Sequence, residues 1–209
     1  MKYKKALIVT AETNINLEIF NDNDNFIIGV ERGCLDLIKK KIKIDLAIGD
    51  FDKVDLSELE LIKQTAKKYE IWSSEKDYLD GELAIFKAKE VCDKNSQIIF
   101  IANATKRYDK NFSIFNLIFK HKIKFINQDS IIFLLEKGTN ILDFDKYQDI
   151  TYVSFISKTN TKITIKGLKY EANDLLLEPL STACVSNAFV AYQNATITAD
   201  NAIICIMSK

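Results

Sequence analysis

The residues best suited to chemistry in this sequence are two aspartates that follow a short hydrophobic run. Asp50 and Asp52 come directly after Leu46–Ile48 and Gly49. If the chain stays extended, side chains two residues apart point to the same side. Two carboxylates placed in this way form a pair of hard oxygen ligands suited to Mg²⁺, which would in turn hold a polyphosphate. The alternative is that both acids only cap a helix predicted to begin near Leu56.

A second acidic segment, Glu75–Asp80, precedes another predicted helix. We expect Asp77 to be the N-cap of that helix and Asp80 to be its third residue, where both carboxylates favour the helix dipole. This capping role is compatible with metal or phosphate chemistry. Lys76 could meet a phosphate there, or could be an ordinary solvated lysine.

A third charged segment, Asn103–Asp109, joins a predicted strand to a predicted helix. Arg107 at such a junction is well placed to bind a phosphate through two guanidinium nitrogens, and Asp109 could orient it. The alternative is a surface Arg–Asp pair of little energetic value. Farther along, Ser186 and Asn187 follow the only proline, and by themselves they indicate a turn.

The composition limits the size of the core and the kinds of partner that these segments can bind. With 209 residues and 47% hydrophobic content, the chain can bury one sizeable core or two small ones. Lys plus Arg and Asp plus Glu both number 29, so no overall charge favours nucleic acid or an anionic membrane, and a small-molecule partner is expected. Apolar runs such as Ile131–Leu135 are far shorter than the roughly 20 residues that cross a bilayer. We therefore expect a cytoplasmic protein.

Cysteine and histidine contribute little to the predicted chemistry. The four cysteines, Cys34, Cys92, Cys184 and Cys205, form no CxxC pair and lie among apolar neighbours, as core residues do. His121 is the only histidine, which excludes multi-histidine metal sites. Carboxylates are therefore expected to carry the chemistry.

The hydrophobic periodicity divides the chain into two parts near residue 123. Before that point, short apolar runs alternate with segments of helical period, among them Leu79–Asp93, whose apolar residues share one face. Such alternation predicts a mainly parallel, Rossmann-like sheet with flanking helices. Because the carboxyl ends of such strands form the ligand site, the glycines between Gly29 and Gly81, including Gly49, are expected at that edge.

From residue 124 onward the pattern is typical of strands, with no convincing helix. Thr161–Ile165 and Ala195–Thr198 alternate with period two, as half-buried antiparallel strands do. We therefore predict an α/β domain over residues 1–123 and an antiparallel β-sandwich over residues 124–209.

Taken in order, these segments resemble the thiamine pyrophosphokinase family. That family has an Asp-Gly-Gly turn, then Gly-Asp-Phe-Asp-Ser, Lys-Asp-x-Thr-Asp, Gly-Arg-x-Asp-His and, near the C-terminus, Ser-Asn. The corresponding stretches here are Glu31–Gly33, Gly49–Lys53, Lys76–Asp80, Lys106–Lys110 and Ser186–Asn187. The sequence departs from the pattern at Glu31, Arg32, Lys53, Leu79 and Lys110.

The resemblance implies transfer of the terminal diphosphate of ATP to the hydroxyl of thiamine, with AMP as the other product. It places Asp50, Asp52 and Asp80 as Mg²⁺ ligands. Glu31 and Asp77 would complete the acidic rim, and one of them would assist loss of the hydroxyl proton. Further residues would bind the two substrates: Gly49, Lys76, Arg107 and Asp109 for ATP, and Ser186, Asn187 and Phe189 for thiamine. The family pattern also implies a homodimer with thiamine at the subunit interface.

Two alternatives remain open at this point. Asp50–Val54 also fits the DxDx[TV] motif of haloacid dehalogenase-type phosphatases, in which Asp50 would be phosphorylated and Asp52 would act as acid and base. The strand Ile98–Ala102, however, lacks the paired acids that such enzymes need at a later strand end. The other alternative is a non-catalytic sensor of thiamine or a nucleotide. Against it, four clustered aspartates repel one another unless a cation is present.

Overall fold

A computed structural model describes residues 2–73 and 77–209, and the chain forms two compact units. One comprises Met1–Leu117 and Ile123–Gln128, and the other comprises Ile118–Lys122 and Asp129–Lys209.

The first unit contains a parallel sheet with flanking α-helices. Its strands are β1 Tyr3–Val9, β2 Asn25–Val30, β3 Leu46–Gly49, β4 Tyr69–Ile71, β5 Cys92–Ile101 and β6 Lys124–Ile126. Its helices are α1 Gly33–Lys39, α2 Leu56–Thr65, α3 Asp80–Val91 and the greater part of α4 Tyr108–His121, whose residues from Ile118 belong to the second unit. The strand order is β4-β3-β2-β1-β5-β6, and each adjacent pair is parallel. This confirms the predicted sheet with flanking helices.

The strand order contains a switch point between β1 and β5, since the chain moves away from β1 on one side through β4 and returns on its other side. Ligands of open parallel sheets bind outside the carboxyl ends of the strands at such a point. The loops that follow β1 and β5 contact each other there, because Asn103 Nδ2 donates to the carbonyl of Glu12 at 2.6 Å. The loops carrying Glu31 and Asp50 follow β2 and β3 at the same edge.

Buried aliphatic side chains hold this unit together. All four residues of β3 are buried, as expected for a strand covered on both faces. The core cluster combines strand residues such as Leu7 and Ile99 with helix residues such as Leu37 and Ile62. Helix α1 packs closely on the sheet, because a Cβ at Gly33 would lie 2.0 Å from the Val9 carbonyl oxygen.

The second unit is an antiparallel β-sandwich, as predicted. Its strands are β7 Ser130–Leu135, β8 Gly138–Leu142, β9 Tyr152–Ile156, β10 Thr161–Lys166, β11 Ala172–Leu177, β12 Ala195–Ala199 and β13 Ile203–Ser208. They pair in the orders β7-β13-β9 and β11-β10-β12-β8. The core cluster between the two layers includes Phe155 and Met207 from the first and Ile163 and Ile197 from the second.

Some sequence expectations differ from the structure. Lys124–Ile126 was expected to begin the β domain, yet as β6 it pairs in parallel with β5 because its register continues the first sheet. A short helix, α5 at Phe144–Tyr147, lies in the region where none was expected, and the Asp143 side chain caps it. All four cysteines are buried and free. Within the described ranges, no helix is long and apolar enough to cross a membrane.

Helix α2 begins with a cap that decides one open question about the aspartates. Asp55, not Asp50 or Asp52, is its N-cap: Asp55 Oδ1 accepts from the Glu58 backbone N–H at 2.8 Å. The Glu58 side chain returns the bond by accepting from the Asp55 N–H at 3.0 Å. Capping of α2 is therefore complete without the two earlier aspartates.

We expect Asp55→Ala to lower the free energy of unfolding by about 1 kcal/mol, because it removes the N-cap acceptor. Asp50→Ala should leave that free energy unchanged or raise it, since it removes one of several clustered negative charges. Urea unfolding of both variants without divalent cations measures this difference. An equal loss of stability in Asp50→Ala would mean that Asp50 has a capping role after all.

Candidate active site

The two aspartates of the first motif are brought together by a turn rather than by an extended strand. Phe51 adopts a left-handed conformation with φ 56°, and its side chain is buried. The Asp52 backbone N–H donates to Asp50 Oδ1 at 3.2 Å. The expectation that an extended chain would align the carboxylates is therefore wrong. The chain reverses at Phe51, and burial of the ring fixes the turn.

Glu31 holds this turn from the neighbouring strand. It follows β2, and its Oε1 accepts a hydrogen bond from the Phe51 N–H at 2.9 Å. Space for its carboxylate exists because residue 49 has no side chain: a Cβ at Gly49 would lie 2.1 Å from Glu31 Oε1. Gly49 thus leaves the space that the Glu31 carboxylate occupies at this edge.

Glu31, Asp50 and Asp52 form a compact acidic cluster. Each offers a carboxylate oxygen, and these atoms all lie within 4.8 Å of one another. Glu31 Oε2 is shielded from solvent and makes no hydrogen bond within residues 2–73 and 77–209. A buried, unpartnered carboxylate oxygen next to two more carboxylates matches the oxygen ligands that Mg²⁺ requires. Because burial disfavours the charged form and Asp50 and Asp80 add like charge, the pKa of Glu31 is raised.

Asp80 approaches this cluster from helix α3. Asp80 is the first residue of that helix and not the third as expected, because the helix begins two residues later than predicted. Its charge contributes to the raised pKa of Glu31. The expected N-cap role of Asp77 is wrong, because Leu79 occupies the cap position and makes no side-chain cap bond. Asp77 is exposed. Lys76 lies outside the described residues.

Arg107 is presented by the loop between β5 and α4. Its Nε donates to Asp109 Oδ1 at 2.9 Å, and a second guanidinium nitrogen contacts Asp109 Oδ2. The hydrogen-bonded pair raises the pKa of Arg107 and lowers that of Asp109, and both side chains are exposed. The surface pair is therefore present, in an orientation that leaves the guanidinium in solvent at the sheet edge.

In the β-sandwich, the Ser186–Phe189 segment makes a tight set of internal bonds. Ser186 is exposed in a left-handed conformation with φ 61°, and its N–H donates to Ser154 Oγ at 3.0 Å. Asn187 is buried, and its side-chain amide bonds both the N–H and the carbonyl of Tyr170, at 2.9 and 2.7 Å. Phe189 is half-buried and packs against the sandwich core. The Asn187 side chain thus fixes the shape of this segment.

Comparison with known proteins decides the family. The model of the thiamin pyrophosphokinase catalytic domain matches residues 17–128, and that of the thiamin pyrophosphokinase vitamin B1 binding domain matches residues 139–204. The chain belongs to the thiamine pyrophosphokinase family. It is therefore a thiamine diphosphokinase, which makes thiamine diphosphate from thiamine.

Individual relatives agree with this assignment. Thiamine pyrophosphokinase of Bacillus subtilis is 29% identical over 197 residues, which cover 90% of each chain. Its crystal structure has a TM-score of 0.84 at 25% identity and covers 98% of this chain and 99% of its own. A thiamin pyrophosphokinase family protein from Enterococcus faecalis has the same fold, with a TM-score of 0.85 at 24% identity over 98% and 99% of the two chains.

Two positions where this thiamine diphosphokinase departs from the family pattern contact the acidic turn. Arg32 Nη1 donates to the carbonyl of Lys53 at 2.9 Å and lies 3.3 Å from Glu58 Oε2. Lys53 Nζ lies 3.9 Å from Asp52 Oδ1. The sequence motifs identify both residues only as departures from the family pattern. The contacts of Arg32 are not visible in the motif because they join segments more than 20 residues apart in the sequence.

Asn111 was not among the site residues predicted from the sequence. Its side-chain amide bonds both the N–H and the carbonyl of Thr105, at 3.0 and 2.8 Å. Thr105 Oγ1 in turn accepts from the Arg107 N–H at 3.0 Å. Asn111 therefore fixes the loop that presents Arg107. The only sequence signal of this role is the position of an asparagine in the first turn of α4, the helix that follows the Arg107 loop.

We expect Glu31→Gln to weaken the stabilisation of the enzyme by Mg²⁺ while its fold is kept. The glutamine oxygen can still accept from the Phe51 N–H, whereas the negative charge offered by Oε2 is lost. Melting temperatures with and without MgCl₂ measure the effect, and without Mg²⁺ the variant should melt at or above the wild-type temperature because like charges are removed.

Glu18→Gln is the matched control for this change, because Glu18 is exposed on another segment and lies outside the cluster. A wild-type Mg²⁺ response in Glu31→Gln would show that Glu31 is not part of the cation site.

Proposed function

We propose that this enzyme transfers the terminal diphosphate of ATP to the hydroxyl group of thiamine at the carboxyl edge of the parallel sheet. The observation that carries the proposal is the Glu31–Asp50–Asp52 cluster, in which one buried Glu31 oxygen makes no hydrogen bond to the described residues. The match of a catalytic-domain model to this unit supports it. In the reaction, the thiamine hydroxyl oxygen bonds to the β-phosphorus of ATP. The bond from that phosphorus to the α,β-bridging oxygen breaks, and AMP leaves.

Asp50, Asp52 and Glu31 would hold Mg²⁺, with Asp80 as a further acidic group from α3. When bound, Mg²⁺ neutralises phosphate charge and aligns the phosphate oxygens, which is most of what phosphoryl transfer requires. Glu31 replaces the aspartate of the family pattern, and its carboxylate is a further ligand because its oxygen lies within the cluster. Its Oε1 is committed to the Phe51 N–H. We therefore propose Asp77, the other acid of the rim, as the group that takes up the hydroxyl proton.

The cationic groups of the proposed site act on the phosphates. Arg107 is exposed at the edge of the sheet, and Asp109 holds one side of its guanidinium. A planar guanidinium suits phosphate oxygens because it can donate two parallel hydrogen bonds. Lys76 adds a positive charge from the segment before α3, and Gly49 leaves the room that Glu31 occupies.

We further propose that thiamine contacts Ser186, Asn187 and Phe189 in a homodimer, with the α/β unit of one chain and the sandwich of the other lining its site. The vitamin B1 binding model that covers these residues supports the choice of unit. The side-chain amide of Asn187 is bonded to Tyr170, so we assign Asn187 the task of shaping the segment. Four buried free cysteines suit a reducing compartment, and we propose a cytoplasmic location.

Incubation of the purified protein with thiamine, ATP and MgCl₂ tests the reaction. Thiamine diphosphate and AMP should appear in equal amounts. Phosphate release from simple phosphoesters without thiamine would instead favour the haloacid dehalogenase-type alternative. Binding of thiamine without any product would favour the sensor.

Asp50→Asn and Asp52→Asn should each remove most of the activity, because each variant loses a charged ligand for the cation. Their circular dichroism spectra should match that of the wild type, and without Mg²⁺ they should melt no earlier, since like-charge repulsion is relieved. Near-normal turnover of both variants at saturating Mg²⁺ would rule out the metal assignment.

Phe189 provides a test of the thiamine site. Its ring lies 6.0 Å from that of Phe144 at 72°, and it packs against the sandwich core. Phe189→Leu keeps apolar volume there but removes the aromatic face. It should raise KM for thiamine by about 2- to 30-fold, as expected for loss of a cation–π contact, and leave KM for ATP unchanged.

Phe144→Leu is the matched control for Phe189→Leu, because it removes the other ring of the same aromatic pair. Equal KM values for thiamine in Phe189→Leu and in the wild type would place Phe189 in the core alone. The thiamine site would then have to lie elsewhere.

A further inference from the structure

Arg32 connects the acidic turn to the start of helix α2. Its Nη1 donates to the Lys53 carbonyl at 2.9 Å, and the same nitrogen lies 3.3 Å from Glu58 Oε2. Glu58 also accepts from the Asp55 N–H as part of the cap of α2. The guanidinium therefore bonds one end of the turn to a group that the helix cap already fixes.

Two consecutive residues hold the turn on the two sides of Asp52. Glu31 accepts from the N–H of Phe51, the residue before Asp52. Arg32 donates to the carbonyl of Lys53, the residue after it. The backbone of Asp52 is thus bonded at both neighbours to the segment that follows β2.

The turn needs such support for two reasons. Phe51 is a non-glycine residue in the left-handed region, which persists only when its surroundings hold it there. In addition, three carboxylates within 4.8 Å repel one another when no cation is bound, so the repulsion favours spreading of the turn. A hydrogen bond from a cationic donor opposes that spreading.

We propose that Arg32 is a positioning residue, which preorganises Asp52 for Mg²⁺ by fixing the Lys53 carbonyl. The inference rests on the proposed function of the acidic cluster. The family pattern has glycine at this position. A glycine has no side chain that could make the hydrogen bonds that Arg32 makes here. Arg32 itself is half-exposed and contacts neither phosphate nor metal in this role.

A titration of melting temperature with MgCl₂ tests the role without relying on turnover. For Arg32→Ala, the Mg²⁺ concentration at half-maximal stabilisation should rise about three- to tenfold, the range expected for one net hydrogen bond. Arg32→Lys should recover part of the loss, because an ammonium group can donate one bond to the same carbonyl. In activity assays, KM for ATP at saturating Mg²⁺ should stay within about twofold of the wild type.

Several outcomes would overturn the proposal. An unchanged half-maximal Mg²⁺ concentration in Arg32→Ala, with only a lower melting temperature, would leave Arg32 a purely structural role. A raised KM for ATP with an unchanged Mg²⁺ response would make it a direct phosphate ligand instead.

Asp52→Asn in the same titration separates this inference from the proposed function. If Asp52→Asn loses the Mg²⁺ response and Arg32→Ala keeps it, only the role of Arg32 fails. If Asp52→Asn responds to Mg²⁺ as the wild type does, the cation site itself is wrong, and the role of Arg32 falls with it.

Discussion

The candidate active site depends on the hydrogen bond from the Phe51 N–H to Glu31 Oε1. This bond closes a left-handed turn after β3 against the residue that follows β2, and it brings three carboxylates within 4.8 Å. Such a cluster is unfavourable on its own, because like charges repel and one buried oxygen has no partner in the part of the chain that the structure describes. A divalent cation bound there would satisfy both deficits. The fold therefore holds three mutually repelling carboxylates at a place where a bound cation can offset the repulsion.

The rest of the unit makes this arrangement possible. Parallel pairing of β2 with β3 places Glu31 beside the Asp50 turn, and the absence of a side chain at Gly49 leaves room for the carboxylate. The ring of Phe51 is buried in the core of this unit and so anchors the turn. The cap of α2 by Asp55 then fixes the chain just after the turn, and Arg32 bonds to that cap. Together these contacts set the positions of the carboxylates.

The sequence predicted the two folds, since hydrophobic periodicity reports burial directly. It also identified Asp50 and Asp52 as candidate ligands from their types and spacing. It did not predict the left-handed turn at Phe51, because a phenylalanine seldom adopts that conformation and only tertiary contacts impose it. The partners of Arg32 and of Asn187 depend on pairing between distant segments, which no local pattern encodes. The parallel pairing of β6 was missed for the same reason.

Glu31, Asp50 and Asp52 are proposed to bind a divalent cation jointly. The most direct measurement is anomalous diffraction from crystals soaked in MnCl₂, because Mn²⁺ takes the oxygen ligands of Mg²⁺ and scatters anomalously. We expect one strong anomalous peak coordinated by oxygens of all three carboxylates. A well-occupied peak elsewhere at the sheet edge, or no peak at this cluster under saturating Mn²⁺, would contradict it.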